Sequence, residues 1–219
     1  MKSNVKRSGC IATCFWVVFL LPVISCASSS EEEVISKIRE IYSRTSQLVE
    51  KNKTEAIALR SEAGKDGYEI KKWHLTDDKQ NYETGAYEAR VFIVDRNVIK
   101  TRVVVQSLSG DWADVIEYYY YENGKLAFIY EGNTTYNGYV IKNNDKVEPD
   151  GPFVVEKRSY FSEDGKRVRF LQKAYLKKTG ETVPITQIQD INLQKYGAVC
   201  SLPFVSLMQD RVKICSKGN

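Results

Sequence analysis

Apolar residues recur at steps of three and four between Val34 and Val49, where Val34, Ile35, Ile38, Ile41, Tyr42, Thr45, Leu48 and Val49 fall on one stripe. This period predicts an amphipathic helix of about five turns. Ser30 and Glu33 have capping-box spacing, in which the hydroxyl and the carboxylate each satisfy an unpaired amide, so the helix is expected to begin there. Glu31–Glu33 then lie at its positive end, and Lys51 and Lys53 near its negative end. The opposite face mixes signs, which favours packing on a sheet over lying on a membrane.

From Tyr68 onward the period shortens to two. Strands are expected near 68–75, 85–94, 98–107, 113–121, 125–132, 153–162 and 166–177, with a further one at 182–189. Turns at Asp95-Arg96-Asn97, Asn123-Gly124, Asp164-Gly165 and Thr179-Gly180 make most neighbours antiparallel hairpins. Thr54–Ala63 reads as either a short helix or a strand, Gly64–Gly67 as a turn, and residues 133–152 as the longest irregular stretch.

The densest stretch is Val115–Glu131, VIEYYYYENGKLAFIYE. Pairing through a two-residue turn sets Tyr120 opposite Ala127 and Tyr118 opposite Ile129 on one face. On the other face it sets Tyr121 opposite Leu126, Tyr119 opposite Phe128 and Glu117 opposite Tyr130. Both faces are apolar or aromatic, so these strands are expected in mid-sheet, covered on both sides. The helix can cover one face; the other must meet the C-terminal segment, a curled continuation of the sheet, or a ligand. The pattern repeats after 41 residues, where Tyr160-Phe161-Ser162-Glu163-Asp164-Gly165-Lys166 follows Tyr119–Lys125. In this second hairpin Ser159, Phe161, Val168 and Phe170 form the core face. Arg158, Tyr160, Arg167, Arg169 and Leu171 form the other, and Arg158, Tyr160, Arg167 and Arg169 are the candidate binding face. Tyrosines offer flat stacking area and arginines forked donors, which suits an anionic ligand or a glycan. The alternative is a solvated outer face with arginines lying along tyrosine rings.

A capped helix with an Ile-Arg-x-x-Tyr core followed by such hairpins, over about residues 35–175, resembles a group of uncharacterised bacterial secreted proteins and lipoproteins. The resemblance implies no activity.

Residues 1–25 read as an export signal: Lys2, Lys6 and Arg7 precede the apolar run Ile11–Leu21, which is too short to span a bilayer. Val23-Ile24-Ser25-Cys26 resembles the lipobox of bacterial lipoproteins, and the resemblance implies a diacylglycerol on Cys26. Residues 26–30 would then be a lipidated tether and 31–219 a single domain with a C-terminal tail. Ala27 stands where that resemblance associates an aspartate with inner-membrane retention, so the outer membrane is expected in a Gram-negative cell. The alternative is an ordinary signal cut near Ser25 or Ala27 and a soluble secreted product.

The leader also changes the charge. The chain has 32 basic and 28 acidic residues, but three basic residues and no acids lie in 1–25, so the mature chain is near neutral. That balance gives no reason to expect nucleic-acid binding. With Cys10 and Cys14 in the leader and Cys26 acylated, Cys200 and Cys215 remain as a pair for an oxidising compartment.

Catalytic signatures are sparse. His74 has no histidine or cysteine neighbour for a metal site, and Asp111, Asp114 and Glu117 cluster around Trp112, where paired carboxylates could do acid–base work. No metal and no cofactor is expected. The fold class is α+β: an N-terminal amphipathic helix packed on a twisted antiparallel β-meander, with an open barrel as its curled variant. The expected role is a non-catalytic envelope lipoprotein that binds a protein, glycan or anionic ligand through its sheet and the membrane through its lipid. The rivals are a lipid or lipoprotein carrier with a hollow lined by Phe92, Tyr119 and Phe128, and a diverged hydrolase using His74 or the acids.

Overall fold

The computed structural model describes residues 27–63, 70–76, 86–107, 109–188 and 195–213. The export signal, Cys26, the Gly64–Gly67 turn and Cys215 lie outside these residues.

Among the described residues, one α-helix, ten strands and three short 3-10 helices make up the regular structure. Helix α1 spans Ala27–Glu50. It therefore includes Ser30, which is a helical residue and not the expected cap, and residues 27–30 of the expected 26–30 tether are its first turn. Ile35, Ile38 and Thr45 are its buried positions, on the stripe that the periodicity marks. It ends in a Schellman motif: Asn52 takes a left-handed conformation (φ 52°), Lys53 N–H donates to Leu48 O and Asn52 N–H to Val49 O.

The strands are β1 (Glu55–Ala63), β2 (Ile70–Leu75), β3 (Ala86–Val94), β4 (Asn97–Gln106), β5 (Trp112–Tyr120), β6 (Leu126–Thr135), β7 (Val140–Lys142), β8 (Asp145–Val147), β9 (Phe153–Phe161) and β10 (Arg167–Leu176). Eight form one antiparallel sheet in the order β10-β9-β6-β5-β4-β3-β1-β2; β7 and β8 are a separate hairpin inside the expected irregular stretch. The sheet is open, with β10 and β2 at its two ends. The undecided segment 54–63 is strand β1. The expected strand at 182–189 is instead an isolated bridge from Thr182 to Tyr175, a short 3-10 helix Ile185–Gln187 and a second bridge from Ile188 to Gly138.

Both hairpins of the sequence repeat share one geometry. Tyr121 N–H donates to Lys125 O and Gly124 N–H to Tyr121 O. Ser162 N–H donates to Lys166 O and Gly165 N–H to Ser162 O in the same way. Each is a three-residue loop closed by a glycine at positive φ, 76° at Gly124 and 88° at Gly165, where a side chain would be strained. Each loop is followed by a bulge: Tyr120 pairs with Leu126 but Tyr119 with Phe128, and Phe161 pairs with Arg167 but Tyr160 with Arg169. The extra residues, Ala127 and Val168, also stand 41 positions apart.

The pairing gives the sheet two distinct faces. On one lie Trp112, Ile116, Tyr118 and Tyr120 of β5, which are buried in a cluster with Ile57, Leu59, Val91 and Val103 and with Val199, Leu202, Phe204, Met208 and Val212 of the C-terminal segment. Trp73 meets Phe204 with ring centroids 4.8 Å apart. Further along this face Val183 and Ile188 pack with Phe153, Val155, Ala174 and Leu176. Gly138 permits that closure, since a β-carbon there would stand 2.5 Å from the Phe153 ring and 2.8 Å from the Gln187 carbonyl oxygen. On the opposite face Ile35 and Ile38 of α1 share a cluster with Tyr119, Tyr121, Ala127, Phe128 and Tyr160. The tyrosine hairpin is therefore mid-sheet and buried on both sides.

Candidate functional site

The helix-bearing face is built of rungs of paired residues. One runs Phe92–Lys100–Tyr119–Phe128–Tyr160–Arg169 across β3, β4, β5, β6, β9 and β10, and the next runs Arg90–Arg102–Glu117–Tyr130–Arg158–Leu171. Where these rungs meet α1, Ile38, Arg39, Tyr42, Phe128, Tyr130, Arg158 and Tyr160 enclose a pocket of about 280 Å³. Its aromatic walls are set by ring packing. Phe128 and Tyr160 lie 4.9 Å apart between centroids, Tyr42 stands edge-on to Phe128 at 5.9 Å, and Tyr42 and Tyr119 are 5.0 Å apart. Gly132 leaves room for the Tyr130 ring, whose Oη would lie 3.1 Å from a β-carbon added there.

Charge around the pocket is ordered from the sheet side. Arg158 donates to Glu156 Oε2 at 3.1 Å, Lys173 Nζ lies 3.1 Å from the same oxygen, and Tyr175 Oη donates to Oε1 at 2.9 Å. Burial pushes the Glu156 carboxyl up, but the hydrogen bonds from Tyr175 and Lys173 and the nearby cations outweigh it and hold the group below the ordinary carboxylate range. Burial and the Glu156 charge push the Tyr130 hydroxyl up, so it stays a neutral donor. The pocket thus offers aromatic faces, phenol donors and two guanidinium groups.

The four residues of the candidate binding face are not on one surface. Arg158 lines the pocket. Tyr160 is buried there under α1 and is not an outward platform. Arg169 is taken up by α1: its Nε donates to Glu31 at 3.1 Å and its Nη2 to Glu32. Arg167 stands on the opposite face beside Phe161, because the Val168 bulge turns it over. Tyr42, Tyr130 and Arg39 complete the site without having been singled out. The pairing of Tyr130 with Glu117 puts it on the Tyr119 face.

The acid–base candidates are far apart. His74 lies on edge strand β2 and pairs through Arg60, Glu88 and Val104 to Val115 of β5, four strand spacings or about 19 Å away. Asp114 is buried on the C-terminal-segment face and Glu117 lies on the helix face. Glu117 is occupied there by Lys100 Nζ at 2.8 Å and the Tyr119 hydroxyl at 2.8 Å, and Asp111 is in an exposed loop, bonded to Ser109. Tyr119 and Phe128, expected to line a carrier's hollow, are 1% and 5% exposed. Of the expected disulfide, Cys200 is described; it lies in the short 3-10 helix Val199–Ser201 and is not a free thiol.

Set against known proteins, the chain matches no protein family, no curated protein and no solved structure.

Proposed function

We propose that this is an exported, non-catalytic binding protein in which α1 docks on the sheet and the pocket between them takes a single acidic sugar ring. The observation that carries this reading is the pocket of about 280 Å³ with four aromatic side chains and two arginines around it. That volume is at the small end for ligand sites and suits one ring. Tyrosine faces stack on the apolar side of a sugar, and a guanidinium pairs with a carboxylate through two parallel hydrogen bonds. The separation of His74 from the acids supports a binding role over hydrolysis, and the packing of Tyr119 against Tyr42 and Phe128 supports it over lipid carriage.

The chain is anchored through diacylglycerol on Cys26 and faces an oxidising compartment, the outer membrane in a Gram-negative cell; a soluble secreted form is the alternative. Cys200 pairs with Cys215, closing a loop worth about 3 kcal/mol in the chain-entropy model. Intact mass of the membrane-extracted protein tests the anchor: Cys26→Ala loses the acyl mass and membrane partition, and unchanged partition would overturn it.

Saturation-transfer NMR with glucuronate, galacturonate and neutral glucose tests the pocket. Saturable millimolar binding of the acids is expected, with glucose weaker by tenfold or more. Tyr42→Ala should abolish it without unfolding the chain, since Tyr42 is 45% exposed. Arg158→Lys, which keeps the charge but not the fork, should weaken it. Equal binding of all three sugars, or full binding by Tyr42→Ala, would refute the assignment.

A further inference from the structure

A second site stands on the other side of the sheet, independent of the aromatic pocket. At the β10 edge the last residues are covered: Val183 N–H donates to Ala174 O, and Leu176 N–H to Glu181 O. Among the described residues, no strand pairs with the outer side of Arg167–Lys173. This seven-residue run exposes apolar side chains on both faces, Phe170 at 43% and Leu171 at 47%. It carries Arg167, Arg169 and Lys173 and no acidic residue; Arg169 is paired with Glu31 and Glu32 and Lys173 with Glu156, so the edge's positive charge toward the groove is that of Arg167.

Beside the run, on the face opposite α1, lies a groove of about 450 Å³. Phe161, Phe170 and Tyr196 supply its aromatic surface, and Lys157, Arg167 and Lys195 its charge. Glu131 offsets part of that charge, with Lys195 Nζ at 2.6 Å and Lys157 Nζ at 3.2 Å. The Arg167 guanidinium lies 5.2 Å from the centre of the Phe170 ring. The groove therefore keeps a positive balance next to an open row of backbone donors and acceptors.

An open strand edge binds extended polypeptide by continuing the ladder, with affinity from main-chain hydrogen bonds and specificity from alternate side chains. A second copy of this chain fits poorly. Two-fold antiparallel pairing centred on Phe170 sets Arg167 against Lys173, centring on Leu171 sets Arg169 against Lys173, and centring on Arg169 sets that residue against itself. Like charges directly opposite destabilise a sheet. From the edge, the charge and the groove together, we infer that Arg167–Lys173 of β10 captures an extended acidic segment of another protein as a ninth strand. Its apolar residues lie over Leu171 on the α1 side, and its carboxylates, on the other face, meet Arg167 and the groove beside Phe170.

The test uses the full chain and a fluorescein-labelled decapeptide of alternating glutamate and valine, followed by anisotropy. A lysine–valine peptide is the charge control. Two N-methylated versions of the acidic peptide, methylated at odd or at even positions, probe the ladder, because only one set of amides faces the edge. Saturable binding of the acidic peptide is expected, at least tenfold tighter than the lysine peptide, with one methylated version inactive and the other unaffected. Arg167→Glu, at an exposed position, should weaken binding tenfold or more. Equal binding of both methylated versions and the parent, equal binding of the lysine peptide, or no saturable binding would each overturn the inference.

Discussion

Glu131 is a buried carboxylate whose neutralisation should destabilise the fold. Its side chain is 3% exposed, in mid-sheet on the face covered by the C-terminal segment. It is held between Lys157 (side chain 10% exposed) at 3.2 Å and Lys195 (37% exposed) at 2.6 Å. The Lys157 contact is an ion pair without hydrogen-bond alignment, since Glu131 Oε1 has no hydrogen-bond partner. At an effective dielectric of about 20, a pair at that distance attracts by roughly 5 kcal/mol before desolvation is charged against it. Removing one member of a buried pair leaves the other uncompensated, typically at about 3–5 kcal/mol. Lys195 is exposed enough to be solvated on its own, so its share is small. Glu131→Gln keeps the shape, and should lose about 3 kcal/mol because the buried carboxylate's attraction for Lys157 is removed. In urea unfolding followed by tryptophan fluorescence, the midpoint falls with little change in slope. In a thermal scan Tm falls by about 6–12 °C, at roughly 2–4 °C per kcal/mol for a chain of this size. Replacing both partners, as in Glu131→Leu with Lys157→Met, should recover most of the loss, because an apolar pair of similar volume carries no desolvation penalty. A loss below about 1 kcal/mol for Glu131→Gln would refute the reasoning, placing the pair in the range of surface salt bridges.

Burial pushes the hydroxyls of Tyr118, Tyr119 and Tyr120 well above the ordinary value of 10.0. Their folded pKa values lie above the unfolded ones, so the stability they contribute is complete below pH 10 and is lost as pH rises further. Absorbance titration should therefore show these rings ionising together with loss of tertiary structure; independent ionisation in the folded chain would contradict their burial. Gly138→Ala should destabilise by about 1–3 kcal/mol in urea, because the added carbon meets the Phe153 ring and the Gln187 carbonyl. Tyr121→Phe should cost about 1 kcal/mol by the same measurement, through loss of the 2.7 Å hydrogen bond from its hydroxyl to Phe161 O, which ties the two repeated hairpins together.

The helix stripe and most strands were legible because burial follows period. Hairpin register was legible for a subtler reason. A two-residue turn at Asn123-Gly124 predicts Glu117–Tyr130, Tyr118–Ile129 and Tyr119–Phe128, and all three pairs are present. The actual loop has three residues, and the bulge at Ala127 restores the count. Between loop and bulge the error is visible: Tyr120 faces Leu126 and not Ala127. The same pair of irregularities at Gly165 and Val168 moves Arg167 to the other face, which divided the candidate site. Tyr160 was misplaced because alternation says which side a residue points to and not what lies above it. Strand β1 was undecided because EAIALRSEA mixes small residues with only two strongly apolar ones, Ile57 and Leu59. The C-terminal cover is a succession of short 3-10 turns, which impose no long period on Leu202, Phe204 or Met208.

The main cluster has a consequence for the order in which the chain acquires its structure. Ile57 of β1 and Val212 near the C-terminus belong to the same buried group, and β1 is flanked by β2 on one side and by β3 on the other. Neither the first strand nor the sheet face it helps form is complete until the last described residues are in place. Contacts this distant in sequence must overcome loop-closure entropy before they stabilise anything, which puts folding toward the slow, millisecond-to-second end of the scale. A chain that passes through a membrane from its N-terminus would expose Trp73, Tyr118 and Tyr120 throughout its passage. Protection of that apolar face would come only with residues 199–212, which pack over it in the folded chain.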